Sequence, residues 1–378
     1  MPLLSISYVN FRNIQNETID LLSKEVFFVG ENGQGKSNLL ESVYYLAYGS
    51  SFRTHSDSEI IRSGENAFSL RTLFKRSEDN ADSVFISLEN AKTTTKKKIV
   101  KNGKTLKDRK ELINTMPCVL FCHEDLEFAV GEPERRRFFV DQCLSMYDMY
   151  YIDISRNYKK ILKSRNLSLK QQQFSMLDVY DLQLSEYGLQ IQKKRNDAVF
   201  KFNQIFAGLY ERITGIDNVT IRYSPSWKSS SGSIPNQADV LKILSEKREV
   251  DRVMQTTMSG PHRDKIRFVR NGTDFVPTAS TGQRRLLAIL LRIAQAIFYT
   301  QATEKKPILL MDDVLLELDP DKRQHVTSLL PEYDQLFCTF LPGEPYERYA
   351  KSTTKIYKIE KGGWSELQSK PQQSVQSI

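Results

Sequence analysis

The sequence has few cysteines and no long hydrophobic run. Its four cysteines form no Cys-x-x-Cys pair, and its longest uninterrupted apolar stretches, residues 43–48 and 286–291, are six residues each. A membrane-spanning helix needs roughly 20 apolar residues, so the sequence predicts no span. The first residues also lack the basic start and the long apolar core of a signal peptide. We therefore expect a reduced, cytoplasmic protein that does not enter a membrane.

Two of the cysteines raise the question of a metal site. Cys118, Cys122 and His123 lie close together, but no second cluster of ligands follows them. The alternative is that both cysteines are small apolar residues of a buried strand. We favour the strand.

The charge balance is basic. The chain has 378 residues, with 54 lysines and arginines against 46 acids, a net charge of +8 and a pI of about 9.1. Its length suggests two or three structural units, and its hydrophobic fraction of 40% is ordinary for a globular protein. A basic surface favours polyanionic partners, above all nucleic acid.

A phosphate-binding loop stands near the start of the chain. An apolar stretch at residues 25–29 predicts a strand, the residues after 38 have the apolar spacing of a helix, and the loop between them is rich in glycine. Glycines let backbone N–H groups surround a phosphate, the lysine brings a full positive charge, and the serine offers a hydroxyl to Mg²⁺. The residues expected to contact ATP here are Gly30, Glu31, Asn32, Gly33, Gln34, Gly35, Lys36, Ser37 and Asn38.

Two carboxylates end a second apolar strand far downstream. Residues 307–311 are followed by Asp312 and Asp313. In a phosphate-loop ATPase the first acid lies on the magnesium side of the nucleotide, so we assign Asp312 to Mg²⁺ together with Ser37. Asp313 is the candidate catalytic residue, which would position the attacking water.

A serine- and glycine-containing turn opens a strongly apolar helix after residue 283. Ser280, Gly282 and Gln283 keep the positions they have in the signature motif of ABC-type ATPases, which usually reads Leu-Ser-Gly-Gly-Gln. The motif resembles that signature although Ala279 replaces the leucine and Thr281 the first glycine. The resemblance implies that these three residues contact the ATP of a partner protomer, so that ATP joins a head-to-tail homodimer.

Several further segments resemble the RecF family of ABC-type, SMC-like ATPases. They are residues 8–13, 49–54, 101–104, 121–126, 131–141 and 260–264, and the resemblance runs from residue 3 to about residue 340. It implies an ATP-dependent DNA clamp that binds single-stranded and gapped DNA in repair, replication and the SOS response. It also implies RecO and RecR as partners in loading RecA, and Arg12 as a further nucleotide contact.

The chain departs from the family pattern at four places. His123 replaces a proline, Lys265 replaces a second aspartate, Asp313 is shorter than the glutamate of transporters, and no histidine occurs near Thr339. We therefore expect a weak, DNA-stimulated ATPase that acts as a switch.

The sequence predicts an α/β fold: an ABC-type ATPase head, with a mixed sheet and flanking helices, that carries an inserted helical lobe. Residues 1–125 and 255–378 would form the discontinuous head, and residues 126–254 the lobe. Strands are predicted at residues 3–9, 25–29, 84–89, 97–101, 104–106, 117–122, 307–311 and 335–340. Helical pattern covers residues 134–165 and 176–214. Residues 224–236 are expected to form an exposed loop, and residues 365–378 a loose tail.

DNA contact is predicted from basic clusters. Residues 96–110 contain eight lysines or arginines and one acid. Further clusters are Arg135 to Arg137, Lys159 with Lys160, Lys163 and Arg165, and Lys193 to Arg195. Solvated faces are the alternative for each of them.

Two other functions are the alternatives to a DNA clamp. One is the nucleotide-binding subunit of an ABC transporter, which needs no basic helical insertion. The other is a phosphoryl-transfer kinase, which needs no signature helix.

Overall fold

The computed structural model of the protein describes residues 2–75, 80–91, 94–229 and 235–367. The strands are β1 (Leu3–Val9), β2 (Thr18–Asp20), β3 (Glu25–Val29), β4 (Ala67–Lys75), β5 (Ala81–Ala91), β6 (Thr94–Lys101), β7 (Lys104–Thr105), β8 (Cys118–Phe121), β9 (Val219–Ser224), β10 (Lys265–Arg270), β11 (Thr273–Asp274), β12 (Ile308–Met311), β13 (Gln335–Phe340), β14 (Lys355–Glu360) and β15 (Gly363–Leu367). The helices are α1 (Lys36–Tyr48), α2 (Lys110–Ile113), α3 (Leu126–Val130), α4 (Pro133–Ser145), α5 (Met149–Lys170), α6 (Leu177–Thr214), α7 (Gln237–Glu246), α8 (Arg248–Met254), α9 (Thr281–Thr303) and α10 (Pro320–Ser328).

The chain divides into two compact units. The first comprises Met1–His123 and Glu304–Ile378, and the second comprises Glu124–Thr303. The contacts therefore group residues 255–303 with the helical part, because β10 pairs with β9 and α9 packs on α6. The domain boundaries predicted from the sequence instead grouped the segments that carry the motifs of the ATP site. A functional head that joins residues 1–125 to 255–378 stays a prediction.

The first unit contains two sheets. One has the order β15-β14-β3-β13-β12-β8, with parallel pairing throughout except at β15. The other is antiparallel, with the order β2-β1-β4-β5-β6-β7. Helix α1 contacts strands of both sheets. The predicted mixed sheet is confirmed, and the separate antiparallel sheet was not anticipated.

The burial patterns explain which strands could be found from sequence. Every residue of β3, β8, β12 and β13 is buried, so these strands appear as short continuous apolar runs. Strand β4 alternates instead, because only one of its faces meets the core. Its weaker pattern was missed, as were β2, β9, β10, β11, β14 and β15.

The second unit is built on α6, a helix of 38 residues. It packs along α5 and also against α4, α9 and β9. It ends at Gly215, whose φ of 68° allows the chain to leave the helix, as the sequence predicted. The predicted helical stretch 134–165 is interrupted before α5, where the Asp148 side chain accepts a hydrogen bond from Tyr151 N.

Helix α9 is the one described helix that is long and apolar enough to cross a membrane by length and composition alone. Most of that apolar window, 72%, is buried inside the protein. A core helix of a globular domain has the same properties, so this helix is weak evidence for a span.

The loop expected at residues 224–236 is not fully exposed. Trp227 is completely buried, and its indole Nε1 donates to Ser259 Oγ (3.2 Å). Residues 225–229 and 235–236 form no helix or strand, and residues 230–234 lie outside the described part of the chain. The composition gave no sign that one aromatic side chain would anchor this stretch. The predicted loose tail begins with residues that form the end of β15, and residues 368–378 lie outside the described part of the chain.

Candidate ATP site and nucleic-acid surfaces

The phosphate loop links the buried strand β3 to helix α1, as predicted. Gly33 and Gly35 have φ angles of 78° and 118°, which side chains other than glycine rarely adopt. A Cβ on Gly30 would lie 2.5 Å from Ile359 O, and one on Gly35 would lie 3.0 Å from Asn13 Oδ1. These close approaches explain why the loop needs glycine at these positions.

Lys36, at the first position of α1, is only 4% exposed. Its Nζ donates to Gly30 O (2.8 Å) and to Glu31 O (3.2 Å). Both acceptors are neutral, and no carboxylate in the described part of the chain forms an ion pair with this lysine. A buried ammonium group is costly to keep without a negative partner. The loop is therefore suited to receive an anion.

Ser37 and Asp312 meet across the end of the parallel sheet. Ser37 Oγ donates to Asp312 Oδ1 at 2.8 Å, which joins the two residues predicted to hold magnesium. The pKa of Asp312 is raised to about 6, chiefly because the carboxyl group is buried and also because Asp313 is adjacent, while the hydrogen bond from Ser37 opposes the rise.

Asp313 is held by Thr339, at the end of the neighbouring strand β13. Asp313 N donates to Thr339 Oγ1 (2.8 Å), and the Thr339 hydroxyl donates back to Asp313 Oδ1 (2.7 Å). Asp312 Oδ1 lies 3.2 Å from the same hydroxyl oxygen. Asp313 has a φ of 54°, a conformation that a non-glycine residue adopts at a cost. Thr339 therefore holds both the strained backbone and the carboxylate of Asp313, the residue after Asp312.

Other predicted contacts have partners within the protein. Gln34 Oε1 accepts from Lys361 N (2.7 Å), which ties the loop to the turn between β14 and β15. Asn38 Nδ2 donates to Asn13 Oδ1 (2.7 Å). Glu31, Asn32 and Gly33 are exposed at the loop tip.

Arg12 lies in a network that the sequence did not predict. Its guanidinium donates through Nε and Nη2 to the two oxygens of Glu41 (2.9 and 2.8 Å) and through Nη1 to Glu59 O (2.7 Å). Glu41 is fully buried, so this paired contact helps to stabilise a charge inside the unit. A nucleotide contact by Arg12 stays a prediction.

The signature residues lie at the start of α9, in the second unit. Ser280 N donates to Gln283 Oε1 (2.8 Å) and Gln283 N donates to Ser280 Oγ (3.3 Å), so the two side chains form a capping box. A Cβ on Gly282 would meet nothing within 4 Å. The first N–H groups of a helix have no partner inside it, so this end of α9 has the polarity that an anion requires.

Two residues that support the site were missed from the sequence. Thr339 was noted only as a position without a histidine nearby, and Glu41 was not noted at all. A signal for Thr339 existed. The carboxyl ends of parallel strands are where α/β proteins place ligands, and β13 was predicted as a buried strand like the one that carries the two acids.

Several of the basic clusters are engaged in the protein interior. Arg136 donates to Ile266 O (3.4 Å) and Arg137 to Asp264 O (3.0 Å), carbonyls of or next to β10. Arg195 pairs with Asp141 and Asp264. Arg165 pairs with Asp181 and Asp251 and is fully buried. These four arginines bind partners within the protein, which weakens the prediction that they contact DNA.

Exposed cations are found in the cluster at residues 96–110 and among the lysines that neighbour the buried arginines. A turn with left-handed φ angles at Asn102 and Gly103 joins the antiparallel strands β6 and β7, and Lys96, Lys98 and Lys104 are exposed around it. Lys97 pairs with Asp57 (2.8 Å) and is half-buried. On the helices, Lys159, Lys160, Lys163 and Lys193 are exposed.

The cysteines behave as apolar residues. All four are buried, with Cys118 in β8 and Cys338 in β13. Burial raises the pKa of the Cys143 and Cys338 thiols, so both stay protonated near neutral pH. In the part of the chain that the structure describes, no group of three or more His, Cys, Asp or Glu side chains could hold a metal ion.

Comparisons with known proteins identify the family and the fold. The family model described as RecF/RecN/SMC N terminal domain matches residues 2–364. The DNA replication and repair protein RecF of Treponema pallidum is 45% identical over 95% of this chain and 99% of its own length. A solved structure of the recombination mediator protein RecF with ATP, in the RecFOR pathway, has a TM-score of 0.85 at 28% identity and covers 97% of both chains.

A structure of an SMC head bound to the C-terminal winged-helix domain of ScpA has a TM-score of 0.57 at 12% identity, which shows a shared fold. Fold and site together define a phosphate-loop ATPase head of the RecF, RecN and SMC type. Within that class, the chain belongs to the RecF family of DNA replication and repair proteins.

Proposed function

We propose that this protein is an ATP-gated DNA-binding protein of replication and recombinational repair. The observation that carries the ATP part is Lys36, a buried ammonium group with only neutral protein partners, inside a loop of phosphate-binding form. Support for the DNA part comes from the family and from the name of the RecF relative in Treponema pallidum. The family also favours this role over that of a transporter subunit.

Nucleotide binding would replace the contacts of Lys36. The ammonium group would move from the carbonyls of Gly30 and Glu31 to the outer phosphates, and the N–H groups of the loop would surround them. The solved RecF structure with ATP supports this assignment. Because the lysine is already buried and aimed into the loop, little reorganisation is needed.

Ser37 Oγ and Asp312 are suited to magnesium. They are hard oxygen ligands 2.8 Å apart, and a site with one carboxylate agrees with the preference of Mg²⁺ for few protein ligands plus water and phosphate oxygens. The chemistry that Mg²⁺ supplies when bound is neutralisation of phosphate charge. Asp312 must be ionised to bind it, and burial of the carboxyl group opposes that ionisation.

Asp313 would orient the attacking water, with Thr339 as its support. Aspartate reaches less far than glutamate, so we expect slow turnover. Slow hydrolysis suits a switch whose ATP-bound state must last.

ATP would also join two protomers. Each phosphate loop would bind one ATP, and Ser280, Gly282 and Gln283 of the other protomer would cap its outer phosphate. The open, polar end of α9 supports this arrangement. The bound state would hold single-stranded or gapped DNA and act with RecO and RecR to load RecA in the cytoplasm. The RecFOR pathway named for the solved RecF structure supports those partners.

The test is binding to gapped and single-stranded DNA, with and without ATP, for wild type and Lys36→Met. We expect ATP to tighten wild-type binding severalfold and the variant to lose that gain. The control is Lys358→Met, which removes an exposed lysine of β14 and should behave as wild type. If the wild type binds DNA equally well with and without ATP, the proposal that ATP controls DNA binding is refuted. If it binds no DNA at moderate salt, the proposal that it is a DNA-binding protein is refuted.

A further inference from the structure

A groove runs between α6 and the outer strand β9 of the three-stranded sheet. Its volume is about 430 Å³, and it lies wholly within the second unit. Strand β9 is at the edge of its sheet, which has the order β11-β10-β9. Asn203 accepts from Ile221 N and donates to Ile221 O (2.8 Å each), so part of this edge is already paired. The edge of β9 is therefore not free to pair with an additional strand along the groove.

Phe200 forms one wall of the groove and is 67% exposed. The neighbouring apolar residues of α6, Val199 and Phe202, are buried, with only 6% and 4% of their surface exposed. Phe200 thus lies off the packed face of the helix and contributes little to the core. A single exposed apolar residue needs no explanation by itself. Whether Phe200 belongs to a binding surface therefore depends on the residues around it.

The surroundings are basic and available for contact. Lys201 and Arg222 line the groove and are exposed. In the described part of the chain neither forms an ion pair with a carboxylate. This distinguishes them from Arg136, Arg137, Arg165 and Arg195, whose groups bind protein partners.

The sheet beside the groove brings like charges together. Arg222 of β9 is directly opposite Arg267 of β10. Like charges at paired positions destabilise a sheet. Asp274 partly compensates at 3.5 Å from Arg267. Asp197 is the acid that lines the groove. Lys201, Arg222 and Arg267 therefore leave a local excess of positive charge over Asp197 and Asp274, which favours an anionic ligand.

We propose that this groove binds single-stranded DNA, with Phe200 stacking on a base and Lys201 and Arg222 contacting phosphates. The inference rests on the proposed DNA-binding function and locates one surface for it. An exposed aromatic ring beside unpaired cations is the arrangement by which single strands are held without sequence preference. Bases in a duplex are stacked on each other, so Phe200 selects the unpaired strand.

The experiment measures affinity of the full chain, with ATP, for labelled oligothymidylate and for a duplex of the same length. Phe200→Ala should weaken single-strand binding about tenfold and leave duplex binding unchanged, whereas Phe200→Trp should retain affinity. Arg222→Gln should weaken single-strand binding and lower its salt dependence, by about 0.7 in the logarithmic slope for each phosphate that is no longer neutralised.

The matched control is Val253→Ala, which shortens another exposed apolar side chain, 81% exposed on α8, and should change nothing. If Phe200→Ala binds the single strand as tightly as wild type, the groove has another occupant, such as a partner peptide, and the inference is overturned. If the wild type binds no DNA, the proposed function fails with it. If the wild type binds DNA and the Phe200 and Arg222 variants bind it equally well, the inference about the groove is overturned and the proposed function stands.

Discussion

The Thr339 hydroxyl lies between the two carboxylates that follow β12 and is bonded to both the backbone and the side chain of Asp313. Parallel pairing of β12 with β13 places these residues at one edge of the sheet. In the proposed function, the nucleotide itself would be held by the loop before α1. A change at Thr339 should therefore affect the chemical step more than binding.

We predict that Thr339→Val lowers kcat for ATP hydrolysis roughly 10- to 100-fold, because a misplaced catalytic group costs about that much. ATP affinity should stay within about twofold of wild type, and Thr339→Ser should restore most of the rate. Thr72→Val is the control, since it removes a buried hydroxyl that donates to Ser5 O in the other sheet. Wild-type kcat in Thr339→Val would contradict the positioning role.

His262 is neutral in the folded protein. Its Nδ1 accepts from the Tyr158 hydroxyl (2.7 Å), and its Nε2 lies 2.9 Å from Thr257 O, to which it donates. Burial lowers its pKa to about 4, and nearby arginines contribute. The unfolded chain binds a proton near pH 6.5 and the folded chain does not. Stability should therefore fall as the pH drops from 6.5 towards 4.

Urea unfolding at pH 7 and pH 5 tests this. Relative to His262→Gln, the wild type should lose about 1–2 kcal/mol more of its free energy of unfolding between these pH values. The opposite sign, a larger loss in His262→Gln, would contradict the assignment of a neutral, buried imidazole.

At the scale of elements, α6 shows how two glycines of one helix differ. A Cβ on Gly188 would lie 2.3 Å from Cζ3 and 2.6 Å from Cη2 of Trp227, both atoms of a rigid buried ring. A Cβ on Gly208 would meet nothing within 4 Å. Glycine at residue 188 therefore permits the loop after β9 to dock on the helix.

We predict opposite effects of one substitution at these positions. Gly188→Ala should destabilise the protein by about 1–3 kcal/mol because the indole must shift. Gly208→Ala should stabilise it by up to about 1 kcal/mol, since alanine favours the helix. Thermal or urea unfolding compares them, and equal effects of the two changes would show that Trp227 does not pack against α6 as described.

These elements also show where sequence reasoning succeeds. The phosphate loop, α6 and the buried strands are local patterns, because glycine positions, helical spacing and apolar runs lie in continuous stretches. The packing of Trp227 on Gly188 joins residues 39 apart in a loop of polar composition. No local pattern records such a contact.

The internal contacts of four arginines within the basic clusters could not be predicted for a related reason. Arginines 136, 137, 165 and 195 look like surface charge in the sequence, yet their partners come from distant segments. Lys201 and Arg222 belong to no run of basic residues. They become a candidate surface only when α6 and β9 lie side by side.

At the scale of the whole molecule, the phosphate loop and the signature residues lie in different compact units. The proposed dimer would use both units for each nucleotide, since each ATP would need the loop of one protomer and the start of α9 of the other. One defective motif in a protomer would then disable both sites of a homodimer. Two protomers with different defects would still form one intact site.

The most direct test is complementation between Lys36→Met and Ser280→Arg. Each variant alone should fail to dimerise or to hydrolyse ATP, as measured by sedimentation and phosphate release. An equimolar mixture should recover both properties in part, because the loop of Ser280→Arg meets the intact signature of Lys36→Met. A mixture no more active than the average of the two variants would contradict the shared ATP site.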